Sequence, residues 1–246
     1  MPMAFFGFEH VDEWVKTNKI KDLFSRVTNS YDIMNDVMSL GIHRFWKSYF
    51  VKNLDLNPGD TLLDVASGTG DIAQHIREDY RFLNPRIIAL DLTESMLVKG
   101  KNRAIDKGVI DGINYVVGNA ENIPLSDQSI DIYTCAYGLR NVGNLENALK
   151  EAYRVLKKGG KFYCLEFSHI KNDALKPFYD FYSFQIIPAF GKYIAKDEAA
   201  YQYLVESIRR FPDQETFKTD LETRGFQNVR IENLSCGITA LHTGEK

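Results

Sequence analysis

The sequence predicts an α/β domain with a doubly wound, seven-stranded sheet that closes on an antiparallel hairpin, and three observations predict it. Thr61–Ala66 is an apolar run between Pro58-Gly59 and Ser67-Gly68, and Asp71–Tyr80 then carries Ile72, Ala73 and Ile76 on one face. A buried strand, a glycine turn and a helix make the first half of a βαβ unit. From Pro58 to Phe167 strand-like and helix-like segments alternate, which argues a parallel sheet. Near the carboxyl terminus the rhythm breaks. Val229–Asn233 and Ile238–His242 are two strand-like runs joined only by Leu234–Gly237. So short a link cannot cross over, so these two pair antiparallel.

Residues 1–57 read as a helical cap and 58–246 as the main domain. In the cap, Val11–Phe24, Tyr31–Met38 and Arg44–Leu54 carry apolar residues at helical spacing, Met34 and Met38 among them. Helices placed ahead of the first strand pack over the sheet edge or over its ligand face. Arg86–Asp91 is the second strand. Thr93–Lys107 is a helix with Thr93 at its N-cap and Glu94 in its first turn. Ile113–Val117 and Ser129–Tyr137 are the next strands. Leu145–Leu156 is a helix that Lys157-Lys158-Gly159-Gly160 should end, and Lys161–Phe167 is a strand. An insert at about 169–211 holds FYDFYSFQIIPAFGKYIA. It reads either as a lid packed on the core or as the wall of a channel for a long apolar substrate. Asp213–Arg224 is a helix that Gly225 ends.

The turn Gly68-Thr69-Gly70 lets a ligand approach bare backbone above the strand's carboxyl end. Gly68-x-Gly70-x-x-Ala73, with Asp91 21 residues past Gly70, also passes as a dinucleotide fingerprint. Asp64, however, stands inside the strand, where such fingerprints carry an apolar residue. A carboxylate there suits a cationic amino group, such as the methionine end of S-adenosylmethionine. Asp91 then suits ribose hydroxyls. The loop from Gly118 to Pro124 lies beside the ligand crevice, where Asn119 can meet an adenine edge and Ala120 can offer its N–H. The terminal hairpin is the architecture of class I methyltransferases and opposes a nicotinamide oxidoreductase.

Composition bounds the partners. The 246 residues are 44% hydrophobic with a net charge of −3, and no basic run exceeds two residues, so nucleic-acid binding lacks its electrostatic footprint. Cys135, Cys164 and Cys236 are far apart and fit neither a disulfide framework nor a metal site; they read as reduced core thiols. No apolar stretch approaches a membrane span, and MPMAFFGFEH lacks the features of a signal or transit peptide.

Phe6-Gly7-Phe8, followed by Tyr31-Asp32-x-Met34-Asn35-Asp36-x-Met38-Ser39-x-Gly41-x-His43-Arg44-x-Trp46-Lys47, resembles the N-terminal signature of the ubiquinone/menaquinone biosynthesis C-methyltransferases, the UbiE family. The likeness runs to the last residues. It implies S-adenosylmethionine as methyl donor and a ring carbon of a polyprenylated quinol as acceptor, benzoquinol, naphthoquinol or both. It implies the same cofactor roles for Asn119 and Ala120. Loss of a phenolic proton pushes charge onto the ortho carbon, so such a site needs a proton acceptor and a cation for the phenolate. Arg140, Glu166, Tyr31 and His43 are the candidates, although His43 also reads as a structural histidine and Arg140 as half of a salt bridge to an acid of the cap. A lipid substrate further implies a cytoplasmic enzyme peripheral to the inner membrane, or a matrix enzyme in a eukaryote, with a homodimer or a quinone-synthesis complex as possible assemblies. The alternatives are a methyltransferase acting on another lipid or phenol, and a non-catalytic cofactor-binding subunit.

Overall fold

The computed structural model describes residues 3–28, 35–36, 39, 41–170, 177 and 197–246. The chain opens with a hairpin of β1 (Met3–Phe6) and β2 (Glu9–Asp12), then α1 (Glu13–Val27) and α2 (His43–Lys52). The main domain follows as β3 (Thr61–Val65), α3 (Asp71–Asp79), β4 (Arg86–Asp91), α4 (Glu94–Asp106), β5 (Ile113–Val117), β6 (Ile130–Ala136), α5 (Leu145–Val155) and β7 (Leu156–Phe167). It ends with α6 (Glu198–Arg210), α7 (Gln214–Thr223), β8 (Gln227–Leu234) and β9 (Thr239–Glu245). Seven strands form one sheet in the order β5-β4-β3-β6-β7-β9-β8. The first five run parallel, and β9 pairs antiparallel with both β7 and β8. The expected doubly wound sheet with its terminal hairpin is therefore observed. The chain winds outward from β3 through β4 to β5, then returns to β6 on the other side of β3. That reversal leaves a crevice at the carboxyl ends of β3 and β6.

Helices cover both faces, so β3 is apolar at consecutive positions. Leu62 packs with Trp46, Phe50, Ile76 and Tyr201 on one face. Leu63 and Val65 pack with Tyr133, Leu149, Phe162 and Phe217 on the other. In α1, Ile20, Leu23 and Val27 are buried at i, i+3 and i+7, which fixes the cap helix to the first face.

Three differences from the sequence reading have plain causes. First, MAFF and EHVD form strands ahead of α1, with Gly7 at φ +60° in the turn; a Cβ there would come within 2.1 Å of Glu206 Oε2. Second, Lys157–Gly160 do not cap α5. Leu156 turns extended at ψ 138°, and the four residues lie inside β7, where the Lys246 N–H donates to the Gly160 carbonyl. Third, the last part of the insert is a helix, α6, whose Tyr201, Leu204, Val205 and Ile208 are core. Cys236 is exposed at a turn, unlike buried Cys135 and Cys164. Most of the helix read over 31–38, and the aromatic stretch 178–194, lie outside the described residues.

Candidate active site

The site is built where β3 and β4 release the chain. Ala66, Gly68 and Gly70 all have positive φ, at 52°, 57° and 69°. At Gly68 the dihedral is the reason for glycine, since an added Cβ would meet no protein atom within 4 Å. The Gly68 N–H donates to Asp91 Oδ2 at 2.8 Å, and the Thr93 N–H to Asp91 Oδ1 at 2.7 Å. Two backbone donors thus fix the plane of this carboxylate at the end of β4 and leave lone pairs on each oxygen. Burial pushes the Asp91 carboxyl upward, against those two N–H groups. Thr93 caps α4 by position alone, with no side-chain cap bond.

A second helix locks the turn from behind. Gly100 of α4 lies so close that a Cβ would sit 2.5 Å from the Thr69 carbonyl oxygen. The buried Gln74 amide donates to that carbonyl at 3.3 Å and to the Gly100 carbonyl at 3.1 Å. Ala normally stabilises a helix position by about 1 kcal/mol over Gly. Overpacking against backbone costs about 1–3 kcal/mol. Gly100→Ala is therefore expected to destabilise the chain by about 1 kcal/mol, read as a lower urea midpoint. An unchanged or raised midpoint would show that α4 moves away freely.

Above the turn lies a cavity of about 670 Å³, counting open solvent at its mouth. Gly68, Asp91, Asn119 and Ala120 line it from the sheet side, and Thr17, Ile20 and Phe24 of α1 line it from the cap. The N-terminal helix thus roofs this cavity. Asn119 Oδ1 accepts the Glu121 N–H at 3.0 Å, which holds the loop in a tight turn. The 138–143 segment supplies another wall through Gly138, Asn141 and Gly143.

Asp64, Thr69 and Gly70 do not line the cavity. Asp64 is 1% exposed within β3, where Oδ2 accepts from Ser67 Oγ at 2.5 Å and Oδ1 from Thr134 Oγ1 at 3.0 Å. Burial pushes its carboxyl up to about 7, against the pull of the two hydroxyls. Lys47 lies nearby and pairs with Asp71 at 2.8 Å. Burial opposes ionisation of Asp71, but the Lys47 ammonium outweighs it and holds the group at about 2. His43 is buried at the start of α2, with Nδ1 2.9 Å from Ser39 Oγ. Burial, helped by Lys47, lowers its pKa to about 4, so the ring is neutral at physiological pH. It lies outside the cavity lining, and Tyr31 lies outside the described residues.

Arg140 and Glu166 are brought together, with Arg140 Nη1 2.7 Å from Glu166 Oε1 and both side chains buried. The same Nη1 donates to the Tyr137 carbonyl, and Glu166 also accepts the Phe167 and Arg140 N–H groups. Burial pushes the Glu166 carboxyl up, with the Arg140 guanidinium the strongest opposing influence. Neither residue lines the cavity. Their contacts place them behind the wall that Tyr137 and Gly138 form.

Sequence reasoning missed Thr17, Ile20, Phe24 and Glu121. Glu121 accepts the Gly143 N–H at 2.7 Å and so ties two cavity walls together. An acid in the loop after β5 was the available signal. The α1 residues gave none, because an apolar helix face reads the same over a core as over a cavity.

Comparison with known proteins adds four findings. A family model described as the ubiE/COQ5 methyltransferase family matches residues 13–246. The ubiquinone/menaquinone biosynthesis C-methyltransferase UbiE of Rickettsia prowazekii is 49% identical over 243 residues, 98% of each chain. The mitochondrial 2-methoxy-6-polyprenyl-1,4-benzoquinol methylase of Homo sapiens is 45% identical over 273 residues, 98% of this chain and 84% of that one. Among solved structures, a methyltransferase from Thermotoga maritima, described as dependent on S-adenosylmethionine, has a TM-score of 0.63 at 22% identity, covering 92% of this chain and 99% of that one, a likeness of fold.

Proposed function

The chain belongs to the ubiE/COQ5 methyltransferase family, and we propose that it methylates a ring carbon of a polyprenylated quinol, a benzoquinol, a naphthoquinol or both, in ubiquinone or menaquinone biosynthesis. It is an S-adenosylmethionine-dependent C-methyltransferase. The observation that carries the reading is the cavity that α1 roofs over Gly68 and Asp91, with room for a methyl donor above the glycine turn.

The residues fit the cofactor. The Asp91 carboxylate, held on the cavity wall by two N–H groups, would accept ribose hydroxyls, and Gly68 of the turn opens onto the same space. Asp64, behind the cavity lining with Ser67 Oγ on its Oδ2, would act on the amino group of the methionine end through its charge, with Thr69 and Gly70 completing the turn and Asn119 and Ala120 taking the adenine. S-adenosylmethionine supplies a methyl group on a sulfonium, so the protein's part is alignment and exclusion of water. Ile20 and Phe24 of the roof serve the second purpose. The pairing of Arg140 with Glu166 supports a positioning role for both, and a neutral His43 supports an anchoring one. Only the hydroquinone form of the acceptor is nucleophilic enough to react. Turnover of a short-chain demethylated quinol with labelled methyl donor tests the reading. Label should enter the ring carbon of the reduced substrate and not of the quinone; label on oxygen, or none with any quinol, would overturn it.

The polyprenyl tail supports a position at a membrane surface, cytoplasmic in a bacterium and in the matrix in a eukaryote. A homodimer or a quinone-synthesis complex fits the same substrate supply. Among the described residues no helix is long and apolar enough to cross a membrane.

Cofactor affinity should depend on pH through Asp64. Burial pushes its carboxyl up to about 7 in the free chain, and a cationic amino group bound nearby lowers that value in the complex. Binding then expels a proton below pH 7, so affinity falls as the pH drops. Between pH 8 and pH 6 the dissociation constant should rise about tenfold. Asp64→Asn should bind more weakly at pH 8 and lose the dependence. Equal slopes in both proteins, measured by calorimetry, would remove Asp64 from the site.

A further inference from the structure

Beside the cofactor cavity, sharing Val142 and Gly143 with it, runs a second and more open groove of about 1020 Å³. Its walls are Met3 and Phe5 of the hairpin, Lys16 of α1, Leu145, and the end of α6 with Arg210 and Phe211. Two of its cations are poorly matched. Lys16 is 8% exposed, and among the described residues it makes no hydrogen bond or ion pair. The groove's acids have other hydrogen-bond partners: Glu13 accepts the Asn144 amide of the groove wall at 2.7 Å, and Glu146 pairs with Arg224 at 2.7 Å. Arg210 stacks its guanidinium 3.4 Å from the centre of the Phe5 ring. Burial lowers the Lys16 pKa to about 8, with Glu121 and Glu13 pulling the other way. At the mouth stand Met3 and Phe5, and near them Phe8 in the hairpin turn, all exposed large apolar side chains.

A buried cation inside the groove, with an exposed one stacked on an apolar side chain at its rim, matches an amphiphile with an anionic head. We propose that this groove docks the phosphate head group of an anionic phospholipid between Lys16 and Arg210, while Met3, Phe5 and Phe8 enter the boundary of the acyl chains. The proposal deepens the functional reading above, on which it rests, because a polyprenylated acceptor resides in a bilayer. A phosphate supplies the charge-assisted bonds that Lys16 lacks. The chain's overall net charge is negative, so attraction to such a surface must come from a local patch such as this.

The test is flotation of the full chain with vesicles of phosphatidylcholine alone and of phosphatidylcholine mixed with phosphatidylglycerol. Wild type should bind the anionic vesicles more tightly. Lys16→Met and Arg210→Met should each weaken that binding about fivefold, the effect of one basic residue at an anionic surface. Lys101→Met, on α4 outside the groove, should bind like wild type. Arg210→Met should also turn over a tail-less quinol within about twofold of wild type, which shows it folded. No preference for anionic vesicles, wild-type binding by Arg210→Met, or an equal loss in Lys101→Met would each overturn the site. So would a doubled solution mass that Phe5→Ser abolishes, since a second copy would then fill the groove. A chain that docks through Lys16 and Arg210 yet methylates no quinol would overturn the functional reading and leave the docking site standing.

Discussion

Glu166→Ala is expected to lower folding stability by about 3–5 kcal/mol, the scale for removing one partner of a buried ion pair. The carboxylate accepts Nη1 of Arg140 at 2.7 Å, the Phe167 N–H at 2.9 Å and the Arg140 N–H at 3.3 Å, with 1% of its side chain exposed. Alanine strands a guanidinium whose own side chain is only 3% exposed and orphans two backbone donors. Replacing both partners with apolar residues of similar size should recover much of the loss, because no buried charge then remains. Chemical denaturation of Glu166→Ala and of Arg140→Met/Glu166→Leu measures both. If the single variant unfolds at the wild-type midpoint, the pair contributes little. The loss should also reach the cofactor cavity, because Arg140 holds the Tyr137 carbonyl and Tyr137 lines that cavity. Tyr137 adopts φ +60°, which costs a non-glycine residue energy unless its surroundings hold it there.

That pair marks where legibility in the sequence ends. Strands β3, β4 and β6 were legible because each is a short, largely apolar run between glycine, proline or polar punctuation, and burial on both faces demands that pattern. Asp91 was legible for the same reason: an acid that ends a buried strand needs a purpose. The meeting of Arg140 with Glu166 was not, since it depends on β6 lying beside β7 and on a tight turn after Tyr137. Spacing along the chain carries no trace of either. The β1–β2 hairpin was hidden because Met3, Phe5 and Phe8 are exposed while Ala4 and Val11 are buried, which inverts the usual size pattern of a strand's two faces. The Lys157–Gly160 stretch misled because basic residues before glycines end helices elsewhere, whereas here they sit in a strand with Gly159 at φ +76°. The roof residues of α1 were assigned to a helix correctly, and only the tertiary fold tells which part of that face looks into a cavity.

Asp91→Ala is expected to weaken S-adenosylmethionine binding by about 1.5–3 kcal/mol, the usual worth of a hydrogen bond to a charged group, or roughly 10- to 150-fold in dissociation constant. Two contributions add. The ribose hydroxyls lose their acceptor, and the Gly68 and Thr93 N–H groups lose the oxygens that fix the turn and the start of α4. Asp91→Asn keeps the shape and one acceptor oxygen but turns an NH₂ toward one of those two N–H donors, so it should bind weakly and also unfold at a lower denaturant midpoint. The product, S-adenosylhomocysteine, shares the ribose, so Asp91→Ala should weaken it by the same factor. Asp64 is assigned to the amino-acid end, so free adenosine should feel Asp91→Ala and be indifferent to Asp64→Asn. Calorimetry with the three ligands reads all of this. Wild-type affinity for adenosine in Asp91→Ala would place the ribose elsewhere and remove Asp91 from the site.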